Sequence, residues 1–182
     1  MFTDDLGWST AVSGHVMRGG RHFVEFAIET HRQGAPSVNL GIIRPVSLTD
    51  GIDLETDWEG KVHPVFASSS FKPAVAEKLR SQRTAKWEES NVHCCTYYSY
   101  NGRCYWTDWD SENDSSDWQG QEGLRGNGTI GLLLDLDEGT LSVFKNGRRL
   151  GVMKEGLGGE HCWFVTANRP CTISISRDRA PN

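Results

Sequence analysis

Apolar residues fall at every second position in several short stretches of this chain. In His22–Glu29, Val24, Phe26 and Ile28 share one face, and Val38, Leu40 and Ile42 repeat the pattern. His93–Tyr100 (HCCTYYSY) is rich in Tyr and Thr and runs into Asn101-Gly102. That dipeptide predicts a two-residue hairpin, because both positions tolerate positive φ, with Arg103–Asp108 returning. Thr129–Asp135 (TIGLLLD) is almost wholly apolar, as expected of a strand at the centre of a sandwich. Asp137-Glu138-Gly139 turns the chain into Thr140–Lys145, and Asn146-Gly147 turns it again into Arg148–Met153. Cys162–Ala167 and Cys171–Arg177 are the final predicted strands. In the last, Cys171, Ile173 and Ile175 alternate with Thr172, Ser174 and Ser176, which predicts one buried and one wet face.

Helical spacing occurs in one place. Pro73–Trp87 carries Val75 and Leu79 at i, i+4, with Pro73 near the first turn. The stretch Asp108–Gly128 is acidic, then glycine-rich. It is expected to be an ordered loop pinned by Trp109 and Trp118. Many short strands without βαβ spacing predict an all-β, two-sheet antiparallel sandwich or barrel, with one short helix near 73–87.

Composition narrows the function classes. The 182 residues carry 19 Lys+Arg against 24 Asp+Glu, a formal net charge of −5. An acidic balance argues against a nucleic-acid partner. No apolar run approaches the roughly 20 residues of a membrane helix, so no membrane partner is expected. The opening MFTDDLGWSTAVSG lacks the basic and apolar regions of a secretory signal. The expectation is therefore a cytoplasmic, monomeric protein with five reduced cysteines. Cys94 and Cys95 are adjacent, so on a strand they point to opposite faces and cannot share one metal. The 20 Gly fit a turn-rich chain, and the 7 Trp need either a core or a ligand.

Candidate chemistry is sparse. Asp135 and Asp137 share a face, as an acid/base pair in a glycosidase would. Their place at a turn fits backbone acceptance better, and no enzyme activity is predicted. None of the six histidines forms HxH or HExxH, and no phosphate-binding loop occurs, so neither metal nor cofactor is expected. The carboxylates Asp108, Asp110, Glu112, Asp114 and Asp117 alternate like the start of a calcium loop. Asn113 and Gln119 stand where such a loop needs Gly and Glu, which favours a solvated acidic loop.

The segment Gly131–Val152 (GLLLDLDEGTLSVFKNGRRLGV) resembles the core motif of SPRY domains: an apolar strand, an Asp-Leu-Asp turn, a strand ending in Asn-Gly, and an Arg-Leu-Gly strand. Gly20–Glu29 (GRHFVEFAIE), Val38–Pro45 (VNLGIIRP) and the terminal CWFVTANRPCTISIS resemble flanking strands of that family. The resemblance spans roughly Ser13–Arg177. It departs at Ser47–Asn91, which is longer and more polar than in compact members. The implied organisation is an extension over 1–12, a SPRY domain over 13–178 with a long insert at 47–91, and a tail over 179–182.

The resemblance implies a bent, concanavalin A-like sandwich that binds a protein or peptide through loops at one end, without catalysis. By position it assigns ligand contacts to Ala35 and Pro36 before Val38, and to Asn168, Arg169 and Pro170 between the last two strands. Arg44 and Pro45 are a further addition. An Ala/Pro wall beside an Arg donor suits an extended peptide with an acidic side chain. The alternative reading is a lectin-like carbohydrate module, with Trp109 and Trp118 as a stacking platform rather than packing residues.

Overall fold

The computed structural model describes residues 7–31, 33–111, 114–168, 170–177 and 179–181. Alternating residues in extended segments build two antiparallel sheets. One sheet has six strands, in the spatial order β1 (Ser9–Val12), β10 (Cys162–Ala167), β3 (Val38–Ile43), β4 (Cys94–Tyr98), β5 (Cys104–Thr107) and β6 (Asp114–Ser116). The other has five: β11 (Cys171–Ser176), β2 (Arg21–Thr30), β7 (Gly128–Asp135), β8 (Thr140–Lys145) and β9 (Arg148–Lys154). The bent two-sheet sandwich is thus present, with one α-helix among the described residues, α1 (Pro73–Arg80). Strand β1 lies within residues 1–12, read from sequence as an extension, and pairs with β10 from Ser9↔Ala167 to Val12↔Phe164.

The period-2 faces meet between the sheets. Val24, Phe26 and Ile28 of β2 and Leu132 and Leu134 of β7 pack against Leu40 and Ile42 of β3 and against Trp163. Residues of the opposite parity would face water in a simple sandwich. Here all six residues of β3 are buried, because residues 47–91 fold back over the outer face of the six-stranded sheet. A second core forms there. Ile43, Cys94 and Phe164 from the sheet meet Trp58, Val75, Leu79, Trp87 and Trp109. Cys94 and Cys95 accordingly serve different cores. Trp58, Trp87 and Trp109 head the fully buried side chains by volume. Each contributes roughly 4–6 kcal/mol of gross burial, before entropy is charged against it.

Two predicted turns resolve differently. Asn146 (φ 49°) and Gly147 (φ 80°) both take the left-handed conformation, giving the two-residue turn expected between paired Lys145 and Arg148. At Asn101-Gly102 only Gly102 has positive φ. The loop is longer, closed by Tyr98 N–H donating to the Arg103 carbonyl (2.9 Å) and Gly102 N–H donating to the Tyr98 carbonyl (2.7 Å).

The short helix expected near 73–87 is α1; it stops at Arg80, and a single 3-10 turn at Ala85–Trp87 follows an extended Thr84 that caps it. Two further expectations need correction. The stretch 108–128 contains a strand, β6, whose short polar sequence carries no strand signal. Ile175 is 59% exposed instead of buried. Strand β11 is outermost in its sheet, and a cavity rather than packed side chains separates it from β1.

Candidate functional site

The antiparallel register places the residues assigned by resemblance. Strand β3 begins at Val38 opposite Ala167 and ends at Ile43 opposite Cys162. The loop carrying Ala35 and Pro36 therefore meets the β10–β11 loop at one end of the sandwich. Ala35, Pro36 and Pro170 line one shallow cleft together with Thr30, Gly34 and Ser37. Asn168 follows β10 at the same end of the sandwich, and its Oδ1 is buried with no hydrogen-bond partner among the described residues. Arg169 lies outside the described residues.

Arg44 and Pro45 follow the far end of β3 and are not part of this cleft. Arg44 is fully buried. Its Nη1 donates to the carbonyls of Gly158 (2.6 Å) and Glu160 (3.0 Å), and its Nη2 to the carbonyl of Ser90 (3.0 Å). Burial, then the nearby Arg83 charge, lowers its pKa to about 10, so it stays protonated near neutrality. Its side chain ties three loops together beneath the surface.

The cleft stands on a hydrogen-bonded frame. Ser99 Oγ–H donates to the Pro36 carbonyl (2.7 Å), while Val38 N–H donates to Ser99 Oγ (2.9 Å). The hydroxyls of Ser37 and Tyr98 share a 2.9 Å hydrogen bond. These bonds fasten the loop before β3 to the β4–β5 hairpin, whose tip carries Tyr100, 56% exposed.

From that tip a row of rings crosses the outer face of the sheet. Tyr100 is 6.0 Å from Tyr98, Tyr98 is 6.1 Å from Tyr105, and Tyr105 is 5.5 Å from Phe66. Phe66 is 4.3 Å from His63, and His63 is 4.2 Å from Trp8. The far end of the row opens into a cavity of about 890 Å³ lined by Trp8, His63, Phe66, Phe71 and Lys72. Burial lowers the His63 pKa to about 3, so the ring is neutral there. Alternation in TYYSY places Tyr98 and Tyr100 on one face, a signal present in the sequence. The other rings come from segments up to 97 positions apart: Tyr105 from β5, Phe66 and His63 from the insert, and Trp8 from just before β1.

The remaining sequence candidates have local duties. Trp109 is fully buried, and its Nε1–H donates to the Pro64 carbonyl (2.8 Å), so it offers no stacking face. Trp118 is half-buried; its Nε1–H donates to the Gly102 carbonyl (2.7 Å), and its ring lies against Gly120. Asp135 Oδ1 accepts the N–H groups of Asp137 and Glu138 (3.1 and 3.0 Å), and Asp137 Oδ1 accepts that of Gly20 (3.1 Å). In the acidic loop, Asp108 Oδ1 accepts the N–H groups of Asp110 and Ser111, and Asp117 pairs with Arg103 (3.4 Å). Glu112 lies outside the described residues. Among the described residues no cluster of three or more His, Cys, Asp or Glu is arranged to hold a metal.

No family model and no curated protein matches this sequence. Solved structures match it through the fold. The SPRY domain of human HERC1 superposes with a TM-score of 0.57 at 13% identity, over 95% of this chain and 84% of that one. The PSpry domain of TRIM65 gives 0.53 at 12% identity, over 93% and 71% respectively. With two bent antiparallel sheets in matching arrangement, the chain has the SPRY-domain fold.

Proposed function

We propose that the chain is a non-catalytic module that binds an extended peptide or protein segment at the end of the sandwich formed by Ala35, Pro36, Asn168, Pro170 and the Tyr98–Tyr100 hairpin tip. The carrying observation is Tyr100: a large, half-apolar ring held in water on a hydrogen-bonded frame. Exposed tyrosines on rigid supports lose little entropy on binding and recur as anchors in protein interfaces. The adjacent Pro36 and Pro170 stiffen the wall, so little ordering remains to be done when a ligand arrives. The resemblance to SPRY domains supports the same class. The lectin reading loses its support at Trp109, whose ring is enclosed.

Panning a random peptide library against the chain tests this. Selected peptides should bind the Tyr100→Ala variant about tenfold or more weakly, the usual cost of removing an anchor. Melting temperature should be unchanged, since the ring is exposed. Equal binding by the variant contradicts the site. A saturable change in tryptophan fluorescence with simple sugars, and no selected peptide, contradicts the class.

A further inference from the structure

At the opposite end of the strands, β1 and β11 are each outermost in their sheets and flank an open slot. The slot is a cavity of about 270 Å³ lined by Val12, Val24, Phe26, Val165 and Ile175. It continues into a wider mouth of about 650 Å³ that carries Arg21, Arg177, Arg179, His15 and His22. Trp163 and Arg177 line both.

We propose that this slot and mouth form a second docking surface, which takes an acidic protein segment bearing one large apolar side chain. The apolar half follows from shape. At 270 Å³ the slot is below the usual size of a small-molecule pocket and suits a single Leu- or Phe-sized group. Val12 and Ile175, 36% and 59% exposed, bring apolar surface to its rim. Covering them removes a standing cost of exposure.

The acidic half follows from charge. The chain carries a net −5, yet three arginines converge at the mouth. Arg21 is engaged by Asp135 at 3.4 Å. Arg177 is steadied by Ser13 Oγ, to which it donates at 3.2 Å. Among the described residues no carboxylate is within ion-pair distance of Arg177 or Arg179. Asp178, between them in sequence, lies outside the described residues. Both guanidiniums are exposed and can form forked hydrogen bonds to a carboxylate. Because the slot opens into the mouth, one short segment can place its apolar side chain inside and its carboxylates outside. Neither half alone would distinguish this partner from any greasy or any acidic chain.

The test uses fluorescence anisotropy with the whole chain and labelled decapeptides. Each carries one Leu, Phe or Trp beside a run of Asp and Glu, with both orders and several spacings represented. At least one peptide should bind saturably, and its affinity should fall about tenfold between ~50 and ~300 mM salt as the charges are screened. Arg177→Glu/Arg179→Glu and, separately, Ile175→Asp should each reduce binding about tenfold or more. These side chains are exposed, so melting should not change. Tyr100→Ala, at the other end, should leave this binding intact, which separates the two surfaces. Absence of binding by every peptide, or binding indifferent to the Arg and Ile substitutions, overturns the proposal. So does preferential binding of a single-stranded RNA of similar charge.

Discussion

The guanidinium carbon of Arg44 lies 5.5 Å from the centre of the Trp87 ring, beneath the insert and out of contact with water. Arg44 directly follows β3, an inner strand of its sheet, and Trp87 belongs to the second core. Their contact links the insert to the sandwich.

Arg44→Ala should therefore act on stability rather than binding. It strips donors from the carbonyls of Ser90, Gly158 and Glu160. Each buried acceptor left unpaired costs about 1–3 kcal/mol, so a loss of about 3 kcal/mol or more is expected in denaturant unfolding. Arg44→Lys should recover little, because one ammonium cannot reproduce the forked geometry. Alanine at wild-type stability would show that these bonds are not formed in solution.

The two cores should prove equally indispensable. Leu134, fully buried between the sheets, should cost about 2–5 kcal/mol on truncation to Ala. Trp87→Ala in the second core should cost about 3–5 kcal/mol, with the same loss seen by probes of both sheets. An insert that merely decorated the domain would instead let Trp87→Ala unfold residues 47–91 alone, with the sandwich melting unchanged.

What the sequence disclosed and what it hid divide along that line. Period-2 patterns in β2, β7 and β8 report a face that meets one other sheet, and these strands are where expected. In β3 the same pattern marked Val38, Leu40 and Ile42, while Asn39, Gly41 and Ile43 are buried too. Alternation cannot announce a second cover that arrives from an insert with no periodicity of its own. The end cleft shows the same limit. Ala35, Pro36 and Pro170 are brought together as position implies, whereas Arg44 is buried away from them. Strand geometry separates it from Pro36 by the full length of β3, and its burial depends on loops far away in sequence.

Gly41 carries a requirement that composition does not show. A Cβ there would stand 1.8 Å from the Cys95 carbonyl oxygen, a backbone atom that cannot swing aside. Gly41→Ala should separate β3 from β4 locally and destabilise by about 1–3 kcal/mol, as overpacking does. Increased amide exchange in β4, with β8 and β9 unaffected at first, would locate the damage. Unchanged exchange throughout would contradict so close an approach.

Acid should weaken the fold well before its carboxylates titrate. Burial, the largest cause in each case, lowers His63 and His161 to about 3 and His93 to about 4; Arg44 pushes the latter two down further. Unfolded histidines titrate near 6.5. The folded pKa values lie below the unfolded ones, so between about pH 6.5 and 4 the unfolded chain binds more protons. Stability from these rings is then full above about pH 6.5 and drains away as pH falls through the window. With up to three protons taken up, the slope approaches about 4 kcal/mol per pH unit at its steepest. Glu122, lowered to about 2 by hydrogen bonds from Lys145 and Arg148, adds a loss of the same sign at more acid pH. Urea unfolding at a series of pH values should show the decline beginning near 6.5. His63→Gln should flatten it, since Gln keeps a polar group facing Asn39 without gaining a proton. A stability that stays level down to pH 5, or a slope that His63→Gln leaves untouched, would mean that His63 is not enclosed as a neutral ring.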